Sequence, residues 1–593
     1  MVRFDISDCD ERQVALLRRE LGVSDAVAQV LVRRGHGDPP RARAFLSADE
    51  HHGPEAFDGL LDAAALVVGR AREGRRITIH GDYDVDGVCA TAVLVRALRE
   101  LGASVDWHLP DRAGEGYGLS AATVRRLADR GTELLLTADC GITAVDEVAL
   151  ARSLGVETIV SDHHQPRADG VLPDAPIVHP AVCGYPCAEL CATAVAHKLA
   201  QAIFVVAGRD PRDLDEDLDL VALATIADVV ALLGENRSLA RRGMRALART
   251  AKPGLRALMA VARVQPDKLD ERAVGFALAP RINAAGRLYR ADAALELILV
   301  EDPVRAAQIA EELDHANAER RHTEQAIRRE AEAQIARCAD ARRRSAFVLA
   351  GEGWHAGVIG IVASRLAETH RRPVVLLALD GDAARGSGRS IEGYDLLAGL
   401  TACSERLGRY GGHSAAAGVE LERGEVEAFA AALDAHARET LSSEQMIPRA
   451  RVDAIVDGAD LGMDLAEELT ALGPFGAGNP TVSLMVRGAV LADVRPMGEG
   501  KHARFTLQSD GAHARGVAFG NGGKLGVAEG EAVDATFTLE VNEWRGVSEP
   551  RLVLRHAQPA CEEATLKPCL NPGQAQSTLF PLPTPVAALP AMS

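Results

Sequence analysis

The stretch "ITIHGDYDVDG", Ile77–Gly87, sets a short apolar run directly before acids at Asp82, Asp84 and Asp86 and closes on a glycine. "ITI" reads as a buried strand, and "VCATAVLVRALREL" (Val88–Leu101) as the helix that follows it. Carboxylates held a few ångströms apart oppose one another's ionisation, so a fold keeps them together only where a cation or a set of donors offsets the repulsion. A metal site is the first reading. An isolated D-x-D-x-D reads equally well as a solvated acidic turn, and the rest of the chain has to decide.

Working outward, the pattern repeats. "ELLLTAD" (133–139), "ETIVSD" (157–162) and "PIVHP" (176–180) are further short apolar runs separated by helical segments, the signature of a parallel α/β sheet. Ligands in such sheets sit beyond the carboxyl ends of the strands. Asp82, Asp139 and Asp162 each follow a strand-like run, which predicts three carboxylates at one sheet edge.

At 593 residues the chain exceeds a single core, and about three or four domains are expected. No apolar run approaches the length of about 20 residues that a bilayer requires, and "MVRFDISDCD" lacks a signal-peptide pattern. A cytoplasmic location without membrane contact is the expectation. The ten cysteines are scattered apart from Cys183, Cys187 and Cys191, whose spacing lacks CxxC pairs and reads as reduced thiols. A net charge of −18 argues against nonspecific adhesion to nucleic acid, yet a local basic groove suffices for binding.

Residues from about 190 to 340 read as mostly helical, ending in the charged, Ala-rich "AAQIAEELDHANAERRHTEQAIRREAEAQIARCADARRR" (306–344). Its sparse apolar positions predict a long solvent-bridging helix between domains. A second α/β unit begins at "SAFVLAG" (345–351). From "SLMVRGAVLADVRPMG" (483–498) to "RLVLRH" (551–556), short β-like runs suggest a small OB-type barrel. The Pro- and Ala-rich end (558–593) reads as disordered.

The chemistry concentrates in "DYDVDG" (82–87), "TADCGIT" (137–143), "SDHHQP" (161–166) and "ATIADVVAL" (224–232). Carboxylates with imidazole suit Mn²⁺ or Mg²⁺, whereas structural zinc favours thiolates. Two such cations, about 3.5–4 Å apart, suit phosphoester hydrolysis. In order and spacing these segments resemble the DHH phosphoesterase superfamily, named for the Asp-His-His found here at 162–164. "GFALAPRINAAGRL" (275–288), "GWHAGVIGIVASRL" (353–366), "RGSGRS" (385–390), "GGHSAAAG" (411–418), "LGPFGAGNP" (472–480) and "LEVNEW" (539–544) are similar to its RecJ family of single-stranded-DNA exonucleases.

The resemblance implies an α/β architecture: an N-terminal helical segment (1–50), a DHH catalytic domain (51–305), a connecting helix (306–343), a DHHA1-type clamp domain (344–441) and an OB-like nucleic-acid-binding domain (452–557). It implies Asp84, Asp86, Asp139, His163 and Asp228 as ligands of two divalent cations, Mn²⁺ or Mg²⁺, with Asp139 the bridge and Asp82 a further ligand or a supporting acceptor. His164 would face the phosphate, oriented by Asp162. His80 reads more readily as a packed histidine than as a ligand.

Ser387, Arg389 and His413 would clamp phosphate, Gly-rich turns bringing backbone amides close, with Arg281 and Asn283 joining them. Arg112 and Tyr117, a cation and an aromatic, suit a strand's phosphate and base face. The implied activity is 5′-to-3′ hydrolysis of single-stranded DNA to mononucleotides in recombination and repair, with a single-strand-binding protein as partner. The alternatives are a DHH phosphoesterase of short oligonucleotides, cyclic dinucleotides or pyrophosphate, which needs no C-terminal β-domain, and a catalytically silent DNA-binding scaffold, which would have lost acidic ligands. Ala224, Ala279, His179 and the "LCATAVAHKL" segment (190–199) depart from the family's usual residues without removing a ligand.

Overall fold

The computed structural model describes residues 2–111, 115–288, 290–338, 340–544 and 546–560. Arg112 and most of the C-terminal stretch read as disordered (561–593) lie outside the described residues. The chain forms two compact units, one built mainly from Pro39–Arg449 with Leu469–Thr481, the other from Phe4–Asp38, Ala450–Glu468 and the chain from Val482 onward.

The larger unit begins with a five-stranded parallel sheet of β1 (Ile77–His80), β2 (Val105–His108), β3 (Leu134–Thr137), β4 (Glu157–Ser161) and β5 (Ile177–Val178), in the order β2-β1-β3-β4-β5. Every residue of β1 and β3 is buried, as expected of central parallel strands. The strand order reverses between β1 and β3. The loops leaving their carboxyl ends therefore diverge and open a crevice, the place where doubly wound sheets bind ligands. Helix α1 (Val85–Glu100) leaves β1 and is buried over most of its length, covered by α2 (Ala192–Ala207) and α3 (Leu218–Ala227).

A five-residue π-helical turn, Val274–Leu278, runs directly into α4 (Ala279–Leu288). The long helix α5 (Pro303–Arg337) follows, its first turn capped by the Asp302 carboxylate, which accepts from the amides of Val304 and Arg305. It is not solvent-bridging. Positions 306, 309, 310, 313, 316, 317, 320, 324, 327, 331 and 335 form one continuous buried face. Ile309, Ala310 and Leu313 join the core of the first sheet, while Ile327, Ala331 and Ile335 join that of a second. Small alanines and a central polar stretch, Asn317, Arg320 and Glu324, disguise this stripe in the sequence.

The second sheet contains β6 (Phe347–Glu352), β7 (Val374–Asp380), β8 (Ala383–Arg389), β9 (Arg409–Gly412) and β10 (Ala416–Glu422), in the order β9-β10-β8-β7-β6, with only β6 and β7 parallel. Helix α6 (Ala356–His370) packs on it. "ARGSGR" is therefore a strand and not the Gly-rich turn its composition suggests. A Cβ on Gly386 would lie 2.4 Å from the Leu377 side chain, and one on Gly388 2.8 Å from Leu396, so these glycines admit large apolar neighbours.

In the smaller unit β11 (Leu484–Met497), β12 (His502–Ser509), β13 (Ala512–Ala518), β14 (Ala532–Trp544) and β15 (Val547–Pro559) close into a five-stranded barrel, ordered β11-β12-β13-β15-β14 and back to β11. Helices Glu11–Leu21 and Asp25–Arg33 belong to the same unit. Arg34 clasps Asp453 there through two buried hydrogen bonds of 3.1 and 3.0 Å. The "LGPFGAGNP" segment instead lies in the larger unit, where Ala477 O accepts from the Leu232 amide at 2.8 Å.

Candidate metal centre and adjoining cleft

Each acidic loop is locally over-determined. Asp84 caps α1, its carboxylate accepting from Gly87 N at 3.0 Å. A Cβ at Gly87 would stand 2.5 Å from Asp82 N, so the glycine lets the loop fold back on itself. Asp86 reaches across to the start of α2. Its two oxygens accept from the amides of Ala192 and Thr193 at 2.7 Å each and from the Thr193 hydroxyl at 2.6 Å. Asp139 follows β3 with φ +68°, and Val229, next to Asp228 at the end of α3, has φ +60°. Left-handed backbone at a non-glycine residue is strained, and such strain gathers at functional sites.

The ligand atoms converge. Asp82, Asp84 and Asp139 form one group, Asp86, His163 and Asp228 a second, and Asp139, His163 and His164 a third, with the atoms of each within 4.8 Å of one another. His163 Nε2 lies 3.2 Å from Asp139 Oδ1, 3.7 Å from Asp86 Oδ2 and 3.8 Å from Asp228 Oδ2. Both His163 Nε2 and Asp139 Oδ1 are buried without a hydrogen-bond partner. Two atoms that face each other at 3.2 Å without bonding are spaced like neighbouring ligands of one octahedral cation, whose bonds of about 2.1 Å put adjacent donors about 3 Å apart. The donor set, carboxylate oxygen with one imidazole and no thiolate, fits Mn²⁺ or Mg²⁺.

Electrostatics agrees. In the metal-free protein, burial first and then Asp86, Asp84 and Asp82 push the Asp139 carboxyl well above its ordinary range. Burial and then Asp86 raise Asp84, and burial followed by Asp86 and Asp84 raises Asp228 to about 8. Asp162 behaves oppositely. Burial opposes its ionisation, but hydrogen bonds from the His164 ring and from the amides of Ile142 and His164 hold it below the ordinary range. His164 is raised despite its burial, chiefly by its 2.9 Å hydrogen bond to Asp162, and so favours the imidazolium form. The Tyr117 hydroxyl lies 2.9 Å from the same His164 Nδ1 and donates to Asp139 O at 3.1 Å.

The residues expected to hold substrate divide. Ser387 and Arg389, 2.9 Å apart through the Arg389 Nη1–H, line a cleft of about 370 Å³ together with Phe276, Arg287 and Arg365. His413 is exposed in the turn between β9 and β10. Arg281 is buried and committed to Asp314 on α5, at 2.9 and 2.7 Å. Asn283 Oδ1 accepts from Val85 N at 3.1 Å and braces the acidic loop. Neither is turned toward the cleft: α4 packs against both α5 and the start of α1, and these side chains make the joints. His80 is buried, with Nδ1 3.4 Å from the Cys140 thiol.

Three segments match family models: 76–225 the DHH family N-terminal domain, 344–439 the DHHA1 domain, and 452–556 the RecJ OB domain. The single-stranded-DNA-specific exonuclease RecJ of Bacillus subtilis is 37% identical over 566 residues, 94% of this chain and 71% of that protein. This chain belongs to the RecJ family. RecJ from Thermus thermophilus in complex with Mn²⁺ shares the fold at a TM-score of 0.82 with 32% identity, over 95% of this chain and 80% of that one. In its complex with Mg²⁺ the values are 0.76 and 29%, over 94% and 79%.

In this RecJ-family chain several supporting residues are not evident from motif spacing. Thr193 anchors Asp86. His179 donates from Nε2 to His164 O at 2.8 Å, while its Nδ1 accepts from the amides of Ala181 and Val182, which fixes the tautomer. The one signal in the sequence is the histidine's place directly before Pro180, at the end of β5. The three clustered cysteines do not converge: Cys183 donates to Ile177 O, Cys191 meets Thr225, and among the described residues no metal-ligating group includes a thiol.

Proposed function

We propose that the chain is a metal-dependent exonuclease that hydrolyses single-stranded DNA from its 5′ end to mononucleotides. The observation that carries this is the two ligand groups Asp82/Asp84/Asp139 and Asp86/His163/Asp228 at the carboxyl edge of the sheet, joined where His163 Nε2 lies 3.2 Å from Asp139 Oδ1, in a RecJ-family chain whose Ser387–Arg389 cleft lies in the same unit. Asp82, Asp84 and Asp139 would hold one cation, and Asp86, Asp139, His163 and Asp228 the other. When bound, the cations supply Lewis-acid stabilisation of the phosphoryl group and make the attacking water more acidic.

The chain's own residues do the rest. Asp162 fixes the His164 ring and favours its protonated form, so that His164 can donate to a phosphate oxygen or to the departing 3′ oxygen. Ser387 and Arg389 would hold the 5′-terminal phosphate, which sets polarity. Tyr117 tethers His164 to the Asp139 backbone.

A single-strand-binding protein, as the usual coat of such a substrate, is the expected protein partner. Among the described residues no helix is long and apolar enough to cross a membrane. The described cysteines are free thiols, which supports a reducing cytoplasmic setting. The test is a strand labelled at its 5′ end, given with and without Mn²⁺. Labelled mononucleotide as the first product, only with metal and only from single strands, is expected. Labelled product appearing last, or release without metal, would overturn the reading.

A further inference from the structure

We propose that Phe276 is a stacking platform for a nucleobase at the 5′ end of the bound strand, a role that rests on the nuclease reading above. Phe276 is 83% exposed, although the residues two before and two after it, Val274 and Leu278, are buried. A single exposed apolar residue is ordinary on a protein surface, and what sets Phe276 apart is that its ring lines a cleft walled by cationic donors. It sits in the π-helical turn Val274–Leu278, a rare local geometry that recurs at functional sites.

Its surroundings specify the ligand. The cleft it lines has Arg287, Arg365, Arg389 and Ser387 on its other walls against one carboxylate, Glu368, so even with Arg365 paired to Glu324 the cationic donors outnumber the acid and suit phosphate. The π-turn packs on α3, where a Cβ on Gly275 would lie 3.8 Å from Ile226, two residues before Asp228. Phe276 is therefore on an element that adjoins the end of the helix carrying Asp228, and it opens into the cleft that holds Arg389. A strand whose 5′ phosphate lies at Arg389 in this cleft would bring a base against this ring. Aromatic stacking accepts all four bases, which suits an enzyme that degrades any sequence, and it requires the base to be unpaired and splayed, which a duplex end does not provide.

The experiment measures kcat/KM for wild type, Phe276→Ala and Phe276→Trp on 5′-phosphorylated single strands, either intact or carrying one abasic site at position 1, 2 or 3. Phe276→Ala should lose about 5- to 150-fold on the intact strand, and Phe276→Trp should recover most of it. At one abasic position wild type should fall by a similar factor while Phe276→Ala falls no further. The proposal is overturned if Phe276→Ala equals wild type on intact strands, if its deficit persists at every abasic position, or if its melting temperature drops, which would make the ring structural. A wild-type chain inactive on single strands would instead refute the nuclease reading itself.

Discussion

Asp228→Asn should inactivate the enzyme and at the same time make its metal-free form more stable. In the metal-free protein the Asp228 carboxyl is raised from 3.8 to about 8 by burial and by Asp86 and Asp84. An unfolded chain releases this proton near 3.8, whereas the folded one holds it to about 8. Raising the pH through that window therefore favours the unfolded state, and stability falls until the folded group ionises. At about 1.4 kcal/mol per decade, the displacement bounds the penalty at about 6 kcal/mol above pH 8. Asp84, Asp86 and Asp139 share the repulsion and remain in the variant, so about 1–3 kcal/mol should be recovered, a few degrees in melting temperature. Asparagine keeps the shape and cannot ionise.

The assay is thermal unfolding in EDTA from pH 5 to 9, with and without added Mn²⁺. The stability advantage of Asp228→Asn should be small at pH 5, grow toward pH 8 and then level off. Cations compete with the bound proton, so Mn²⁺ should stabilise wild type increasingly over the same range and stabilise the variant far less. Cleavage of a single strand should be lost throughout. A variant less stable than wild type at pH 8 in EDTA would refute the view that these carboxylates are held against their own repulsion. An unchanged Mn²⁺ response would refute ligation by Asp228.

Asp86→Ala should behave oppositely and lose about 2–4 kcal/mol in chemical denaturation at unchanged slope, because Asp86 receives two amide bonds and a hydroxyl bond at the start of α2. Stability equal to wild type would count against that anchoring. Gly87→Ala forces a Cβ to within 2.5 Å of Asp82 N, and the displaced loop should cost about a hundredfold in kcat with far-ultraviolet circular dichroism retained. Arg389→Ala should reduce kcat/KM on 5′-phosphorylated strands about 10- to 150-fold and on 5′-hydroxyl strands much less, since a charge-assisted bond to the terminal phosphate is worth about 1.5–3 kcal/mol. Equal losses on both substrates would remove Arg389 as the end reader.

What the sequence made legible follows from the range of the forces involved. "ITIH" and "LLLT" read as buried strands because burial on both faces leaves no polar position, and the acids after them mark a sheet edge because parallel strands present their carboxyl ends together. Asp82, Asp139 and the histidine pair were accessible for that reason. Arg281 and Asn283 were harder. Both sit in a motif beside a glycine that a ligand could use, but only the path of α4 reveals that Arg281 faces Asp314 and Asn283 faces Val85 N. "ARGSGR" misleads because glycine serves two opposite ends: it frees a turn, and it also clears space for Leu377 and Leu396 over a strand. Phe276 gave no signal, since an apolar residue between Val274 and Leu278 looks like one more core position until its exposure is seen.

The helix α5 is where the hidden pattern matters most for the reaction. Its buried face is continuous, so the half that packs under the carboxylate sheet and the half that packs under the second sheet belong to one rigid rod. Between them Glu324 accepts from Arg320 at 2.7 Å and pairs with Arg365 at 2.7 Å, and Arg365 lines the cleft that holds Ser387 and Arg389. Arg320 stays with Glu324 Oε2 whatever α6 does, but the buried Oε1 has Arg365 as its partner, so the carboxylate is fully paired when α5 and α6 keep one alignment and loses half its pairing when they shift. On the proposed reading a 5′ phosphate held at Arg389 is kept at a fixed distance from the cations. A fixed distance admits one cleavable bond, which is how a site that treats every phosphodiester alike could release mononucleotides and not a ladder of lengths.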